Sequence, residues 1–544
     1  MSPRFLPFGD TAVLVDLSAD EDPLESALAW HADLSLTPLP GQVEVLAAAE
    51  TVLVRFAEAR AASASLATLS LRRPDGGASR QGRLVTIDTV YSGEDLHTVA
   101  SLTGMSTEAV VGAHEGSDWT VAFGGFAPGF SYLTGGDSRL EVPRRDSPRT
   151  AVPTGAVALA GAFSAVYPRV SPGGWQLIGH AETRMWDLSR DQPALLQPGD
   201  TVRFTAVREH AVVTESEPTV SVSADSVEGT PALTVISPGL FTSVQDGGRP
   251  GFGDQGVTRS GAADRPSSAQ ANRLVGLPED GPVLETLLGG LTLRAETATV
   301  VALTGAVGEA TISGHQGSRP APARAPFALY PGETLTLGAP TAGLRGYVGV
   351  RVTEPDAPGG ALPLRVHAEL RSASTDTLSG LGPAALEAGD VLHAVASRRA
   401  DGVGRARAVG HPESPSTALP CPGETVTLRV TPGPRADWFE GEGEALTRME
   451  WSVSSKTDRV GVRMQAEGEA LQRIWTRELA SEGMVPGAVQ VPPDGNPVVF
   501  LADHPVTGGY PVIATVIDAD LPLAAQIPPG TPVRFELQNP RRDS

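Results

Sequence analysis

The chain has 544 residues, too many for one ordinary domain, so three or four are expected. Its 63 acidic residues outnumber 42 basic ones for a net charge of −21, which excludes the basic footprint of a nucleic-acid binder. Cys421 is the sole cysteine, so an intrachain disulfide and a thiolate metal cluster are excluded too.

The 61 glycines and 47 prolines are spread throughout, and both are disfavoured inside helices and central strands. The chain therefore reads as mainly β, with many short strands and turns, and an α/β subdomain at its N-terminus. No apolar run is long enough to export the chain or span a membrane, so a soluble cytoplasmic protein is expected. Lys456 is the single lysine, so no G-x-x-x-x-G-K-[ST] phosphate loop exists and arginines or backbone amides must hold any phosphate.

In chain order, FGDTAVLVDL (8–17) and QVEVLAAAETVLVRF (42–56) alternate as strands do. Between them Pro23 to Leu36 predicts an amphipathic helix with Leu24, Leu28 and Leu34 on one side, and a second helix follows at 57–71. These make a small α/β unit, residues 1–82, ending in the Arg72-Arg73-Pro74-Asp75-Gly76-Gly77 stretch. The next unit, 83–207, starts with the strand LVTIDTVY (84–91) and two short helices, 95–103 and 106–114, the second capped by Ser106. A Glu/Ser/Thr/Val-rich linker covers 208–232. A β-rich unit, 233–400, then carries one helix at 266–275, and a last unit, 401–540, carries one at 435–444. Loops are expected at 353–363 and 396–418.

One passage occurs twice. VPTGAVALAGAFSAVYPRVSPGGWQLIG (152–179) and VPGAVQVPPDGNPVVFLADHPVTGGYPVIA (485–514) share a Val-Pro start, a Gly-Ala-Val strand and a Gly-Gly-aromatic turn. Each closes on a matching strand, PGDTVRF (198–204) and PGTPVRF (529–535). Such spacing implies two copies of one β-rich domain and not a short solenoid period.

Three clusters carry chemistry. GGFAPGFSYLTG (124–135) sets Phe126 and Phe130 among Gly125, Pro128 and Gly129, a loop able to line a pocket with rings and bring amides to a ligand. Arg144, Arg145 and Arg149 follow closely and suit a carboxylate or phosphate; judged alone, this stretch reads as a buttressed turn with solvated arginines. In the second cluster Gln245, Asp246 and Arg249 surround a glycine turn, and Ser260 to Arg265 leads into a helix whose first amides suit an anion. Asp264 reads equally as a helix cap, and Glu285, in an apolar strand, as a buried acid or an arginine partner. The third cluster joins Asp458, Arg459, Arg463, Gln490, Asp503, His504, Thr507 and Tyr510, with Arg169, Trp175 and Gln176 as its counterpart in the first copy. His114 reads as a helix-end dipole partner as readily as a catalyst. No histidine spacing supports a built-in metal site, and no G-x-S-x-G elbow is present.

These strings carry a resemblance. Residues 6–206, through PLPGQVEV, GFAPGFSYL, PRRDSPRT, VPTGAVALAG and SPGGWQLIG, resemble the B subunit of bacterial 5-oxoprolinase, the allophanate hydrolase subunit 1 family. Residues 233–537, through PGLFTSVQDGGR, SGAADR, LETLLGG, GPRADWF and LADHPVTGGYP, resemble its C subunit, the allophanate hydrolase subunit 2 family. The chain looks like a B–C fusion. The resemblance implies tandem cyclophilin-like β-barrels, a separate A subunit as partner, a small-molecule substrate, and ATP and Mg²⁺ as cofactors; a homo-oligomer is compatible with it. It implies ATP-dependent opening of 5-oxo-L-proline to glutamate. Arg144, Arg145, Arg149, Arg249 and Arg459 are then candidates for phosphate or carboxylate, and Asp246 and Asp264 for Mg²⁺ or proton transfer. Two alternatives stay open: a biotin-dependent carboxyltransferase component acting on urea-like amides, and a non-catalytic, kinase-inhibitor-like binding protein. Two departures are visible: Ala373 stands where relatives carry an arginine, and Arg351-Val352-Thr353 replaces a Gly-Gly.

Overall fold

The structure is a computed structural model, which describes residues 3–74, 82–145, 147, 149–208, 229–352, 362–394, 408–475 and 477–538. The 353–361 part of the expected loop, most of the 208–232 linker, residues 396–407, Asp75 to Gly77, and Asp146 and Pro148 lie outside the described residues.

The N-terminal unit is a four-stranded antiparallel sheet backed by two helices, α1 (Pro23–Leu36) and α2 (Ala59–Leu71). Asp22 caps α1 by accepting the Glu25 N–H, and Pro23 sits where its missing N–H costs nothing. Ala27, Trp30 and Leu34 face the subdomain's own core, while Leu24 and Leu28 pack against the following barrel. Thus α1 has two apolar faces, not the single leucine stripe expected.

Two barrels with one strand order follow from the repeated passage. In the first, the order is Gln176–His180, Ala156–Ala160, Phe163–Val166, Ser131–Thr134, Trp119–Gly124, Thr201–Ala206, Leu84–Thr89. A bridge between Val90 and His180 brings its ends together. In the second, Val512–Val516, Ala488–Gln490, Val498–Phe500, Gly461–Ala466, Trp451–Val453, Pro532–Leu537 and Val426–Pro432 form a closed barrel in the same order. The likeness extends to individual bonds. Trp119 pairs with Val202 and Trp451 with Val533, and each indole N–H donates to the carbonyl five residues back, at 3.1 Å to His114 and 3.0 Å to Leu446. Arg203 pairs with Asp118 as Arg534 does with Glu450. Gly155 and Gly487, at φ of 79° and 83°, hold the same turn with left-handed backbone. In both barrels the first and last strands run parallel, the one non-antiparallel pairing of each.

The first barrel also carries α3 (Leu96–Thr103) and α4 (Thr107–Glu115), the latter capped by Ser106 as expected. Between the barrels lies a twelve-stranded sheet running from Thr230–Pro238 to Val391–Ala394, two strands that pair with each other. Helix α5 (Arg265–Val275) crosses this unit. A Cβ at Gly349 would lie 2.5 Å from the Ala271 carbonyl, so the glycine is what lets α5 approach the long strand Arg345–Val352. The helix expected at 435–444 is broken: only Ala436–Trp438 and Glu444–Arg448 coil, because Gly441, Glu442 and Gly443 have φ of 69°, 53° and 96°. No helix among the described residues is long and apolar enough to cross a membrane.

The ends of the chain share a core. Phe8, Ala12, Leu14, Leu46 and Leu53 of the first unit pack with Met484, Val485, Ala488, Phe500 and Val512 of the last. Arg435 is buried between Asp16 at 2.8 Å and Glu482, tying the two units by charge as well.

Candidate functional site

The loop Gly125–Phe130 sits at the seam between the two halves. Its tight form follows from Gly129, at φ of 76°, and from Phe126, a non-glycine residue at 61°. The Phe126 N–H donates to Thr507 Oγ1 at 2.9 Å, and the Gly129 N–H to the Gln255 carbonyl at 3.0 Å. A Cβ at Gly256 would lie 2.1 Å from the Ala127 carbonyl, and one at Gly125 would lie 2.7 Å from Thr507 Cγ2. The loop is thus clamped by the second half on both sides. It does not line an open pocket as expected: Pro128 and Phe130 are buried, and only Phe126 of the loop is half-buried. Its rings pack edge-on, Phe130 at 5.2 Å from both Tyr132 and Tyr167 and at 5.5 Å from Trp175. The sequence offered aromatics between turn residues, a pattern shared by pocket linings and by packed clusters of this kind.

The two Gly-Gly-aromatic turns meet at the adjacent arginines Arg144 and Arg145. The Arg145 N–H donates to the Gly174 carbonyl at 2.7 Å, while a Cβ at Gly509 would lie 2.6 Å from Arg144 Nη1. Arg144 donates to Ser481 Oγ at 3.2 Å and makes no ion pair among the described residues. Arg145 and Arg149 differ: both bind Asp95, at 2.6 Å and 2.9 Å, and their charge holds its carboxyl below the usual range against burial. Both guanidiniums share this one buried carboxylate, and Arg149 also reaches the exposed Glu94 at 3.0 Å, so they stand in an ion cluster and are not the solvated arginines the sequence suggested. Gln176 donates to the Pro143 carbonyl at 3.1 Å and Gln490 to the Tyr510 carbonyl at 3.2 Å, so both amides brace these turns. Tyr510 is half-buried, with the Arg473 guanidinium 5.6 Å from its ring centre.

The glycine turn of the second half faces inward instead. Asp246 accepts from Gly248 N, Ser372 Oγ, Ser374 Oγ and Ala373 N, at 2.8, 2.7, 2.6 and 2.7 Å. No arginine lies within ion-pair distance of it among the described residues. Gln245 is fully buried and donates to Ser243 Oγ and the Thr375 carbonyl. Asp264 caps α5, accepting from Ser267 N and Oγ, Thr417 Oγ1 and Gln526 Nε2, and burial raises its pKa. Four donors around each carboxylate would point their hydrogens at a cation, so neither Asp246 nor Asp264 fits Mg²⁺, and neither is free for proton transfer. Among the described residues no cluster of three metal-ligating side chains exists. Arg459 is buried between Glu285 and Asp503, with Asp503 Oδ2 at 2.9 Å; their charges push its pKa up, and it is unavailable as an anion ligand.

Arg249 is buried, donates one bond to the Ser374 carbonyl, and keeps Nε and Nη1 without hydrogen-bond partners. Burial lowers its pKa, with Asp376 the largest opposing charge. Asp376, which the motif analysis did not single out as a site residue, leaves Oδ2 unpartnered; burial, with Asp503 beside it, pushes its carboxyl up to about 6. Arg169 crosses from the first barrel, its Nη1 2.9 Å from where a Cβ of Gly380 would lie. His114 is a satisfied core group: Tyr91 and Ser164 bond its two nitrogens at 2.8 Å each, and burial takes its pKa down to about 3. Sequence reasoning passed over Arg55 and Arg259: Arg55 pairs with Glu44 at 2.8 Å, whose Oε1 lies 2.8 Å from where a Cβ of Gly253 would stand, and Arg259 Nε donates to the Gly247 carbonyl at 3.0 Å. Arg55 sits in an ordinary strand, and only its tertiary neighbours distinguish it.

Residues 255–537 match the family described as carboxyltransferase domain, subdomain A and B, and residues 3–196 match carboxyltransferase domain, subdomain C and D. Over 314 residues the chain is 38% identical to the 5-oxoprolinase C subunit of Escherichia coli K12, covering 56% of this chain and 90% of that protein. Over 206 residues it is 36% identical to the 5-oxoprolinase B subunit of Escherichia coli O157:H7, covering 37% of this chain and 94% of that protein. Urea amidolyase of Saccharomyces cerevisiae is 32% identical over 56% of this chain, but only 16% of that longer protein is matched. The solved structure of TTHA0988 superposes with a TM-score of 0.76 at 34% identity, covering 96% of this chain and 99% of that one. The chain therefore belongs to the carboxyltransferase-domain family that includes the B and C components of 5-oxoprolinase, with the B-like segment preceding the C-like segment in one polypeptide.

Proposed function

We propose that the chain is the fused B/C component of an ATP-dependent 5-oxoprolinase, working with a separate A subunit to convert 5-oxo-L-proline to L-glutamate. The observation that carries this is the near-complete match of one chain to two subunits, 94% of the B relative and 90% of the C relative. A lactam is a poor electrophile, and coupling to ATP makes its oxygen part of a leaving group. The γ-phosphoryl moves to the lactam oxygen and ADP leaves. Water adds to the activated carbon, the ring C–N bond breaks with the nitrogen taking a proton, and a second water cleaves the resulting acyl phosphate to glutamate and phosphate. Of the arginines first proposed for anion contact, Arg144 alone is both half-buried and bonded only to a neutral partner, so it is kept as a substrate or phosphate ligand, beside Phe126 and Tyr510. Mg²⁺ enters with the nucleotide and takes no ligand from Asp246 or Asp264.

The test is reconstitution. The purified chain, an A subunit, ATP, Mg²⁺ and 5-oxoproline should yield glutamate and ADP at a rate well above the A subunit alone; no increase would sink the reading. The carboxyltransferase description of both matched segments favours a second reading, carboxyl transfer from a separate biotin carrier to an amide. Carboxylation of urea by the chain with carboxybiotin, without ATP, would establish it instead.

A further inference from the structure

The segment from Arg473 to Ser481 joins three parts of the molecule and turns an aromatic side to solvent. At one end Arg473 forms a β-bridge with Phe439, and the Ile474 N–H donates to the Trp438 carbonyl at 2.9 Å, both in the last unit. At the other end the Ser481 carbonyl accepts the Ala49 N–H of the first unit at 3.3 Å. Ser481 Oγ there stands 3.3 Å from the Tyr132 hydroxyl of the first barrel. The course of the segment is therefore set by the B-like and C-like halves together.

Rings and guanidiniums alternate along it. The Arg473 guanidinium lies 5.6 Å from the Tyr510 ring centre, and that of Arg477 lies 5.7 Å from Trp475 and 5.4 Å from Trp438. Trp438 is buried, whereas the adjacent Ile474 and Trp475 are 55% and 51% exposed. A cation already held against two indoles loses little freedom on meeting a partner, and an indole half in water gains by being covered. Beside Tyr510, the place of a Gly509 Cβ is 2.6 Å from Arg144 Nη1, so the strip runs up to the residues kept for substrate.

The charge of this strip is not closed from within. Arg473 gives one hydrogen bond, to the Val491 carbonyl at 2.6 Å, and its Nε has no partner. Neither Arg473 nor Arg477 makes an ion pair among the described residues; Asp494 and Glu50 act on them from beyond that distance. The strip is thus a positive, aromatic stretch on a chain of net charge −21. Tryptophan, tyrosine and arginine carry much of the binding energy at protein interfaces, and fixed cations beside an exposed ring suit a carboxylate-bearing protein face.

We propose that Arg473, Ile474, Trp475 and Arg477 form the docking surface for the separate A subunit, which meets them with an acidic, partly apolar face. The choice of that subunit rests on the oxoprolinase reading; the acidic character of the face follows from the strip itself. A partner seated here also covers the turn that carries Tyr510 and adjoins Arg144.

Calorimetric titration of the full chain with the A subunit tests this, with glutamate formation measured on the same samples. The parent should bind, and more weakly as salt is raised. Trp475→Ala and Arg477→Glu should each weaken binding by about tenfold or more. Arg477→Lys should keep part of the affinity, and Tyr330→Ala, a 58% exposed aromatic control, all of it. Affinity unchanged in both Trp475→Ala and Arg477→Glu, at unchanged melting temperature, overturns the surface and leaves the oxoprolinase reading standing. No complex with the parent overturns the surface too, and the reading falls with it only if no glutamate forms. A complex that both variants lose, without glutamate from the parent, supports the surface and sinks the reading. Self-association that both variants abolish, in place of A-subunit binding, assigns the strip to a second copy of the chain and overturns the proposal.

Discussion

Thr507 and Phe126 stand 381 positions apart, and the Thr507 hydroxyl accepts the Phe126 N–H at 2.9 Å. The bond holds a phenylalanine in left-handed backbone, φ 61°, where an unsupported side chain is disfavoured. Thr507→Val leaves that buried donor without a partner and should cost about 1–3 kcal/mol at the seam, measured by urea unfolding. Thr507→Ser keeps the oxygen and should recover most of the loss.

Asp246 looks catalytic in sequence and structural in place. Asp246→Asn replaces one acceptor oxygen by an NH2 donor that faces groups which themselves donate, so melting should fall, corresponding to about 2–3 kcal/mol. If the variant melts like the parent while activity disappears, the carboxylate has a chemical role that its hydrogen bonds do not reveal.

Arg435 should be the costliest single truncation in the molecule's closing contact. Arg435→Ala leaves Glu482 buried without a cation and Asp16 with only the exposed Arg4 at 3.7 Å, for which about 3–5 kcal/mol is expected. Limited proteolysis should then cut the first 72 residues of the variant well before those of the parent.

Acid should destabilise the fold through two histidines. His114 and His504 have folded pKa values lowered to about 3 and about 4, whereas an unfolded histidine titrates near about 6.5. Below that value the unfolded chain binds more protons than the native one, so native stability is full above it and falls as pH drops toward the folded values. Each group contributes a slope of roughly 1.4 kcal/mol per pH unit in that window. Melting temperatures followed from pH 7 to pH 5 should show the decline, and His114→Gln should make it shallower.

Much of the architecture was legible because it was written twice. PGDTVRF and PGTPVRF place Val202 and Val533 at one register opposite Trp119 and Trp451, and local turn chemistry marks where each strand ends. The helix expected at 435–444 failed because three successive residues, Gly441, Glu442 and Gly443, take left-handed backbone, and at Glu442 the residue type gives no sign of it. The arginines were harder still. Whether Arg149 or Arg459 is available to a ligand depends on Asp95 and Asp503, and their distance along the chain is no guide to their distance in space. Arg55 gave no local sign, since a strand arginine opposite a glutamate is ordinary and the approach of that glutamate to Gly253 is a tertiary contact.

The core shared by Leu14, Leu53, Met484 and Val512 sets the order of events during synthesis. The first sheet leaves the ribosome with one apolar face bare, and its cover, Met484 to Val512, is made only after the whole of the first barrel and the twelve-stranded unit. At typical elongation rates that interval is on the order of half a minute to a minute and a half. Throughout it the nascent chain displays a sticky surface, so a holding chaperone should bind the first sheet and let go only when Met484 to Val512 emerge.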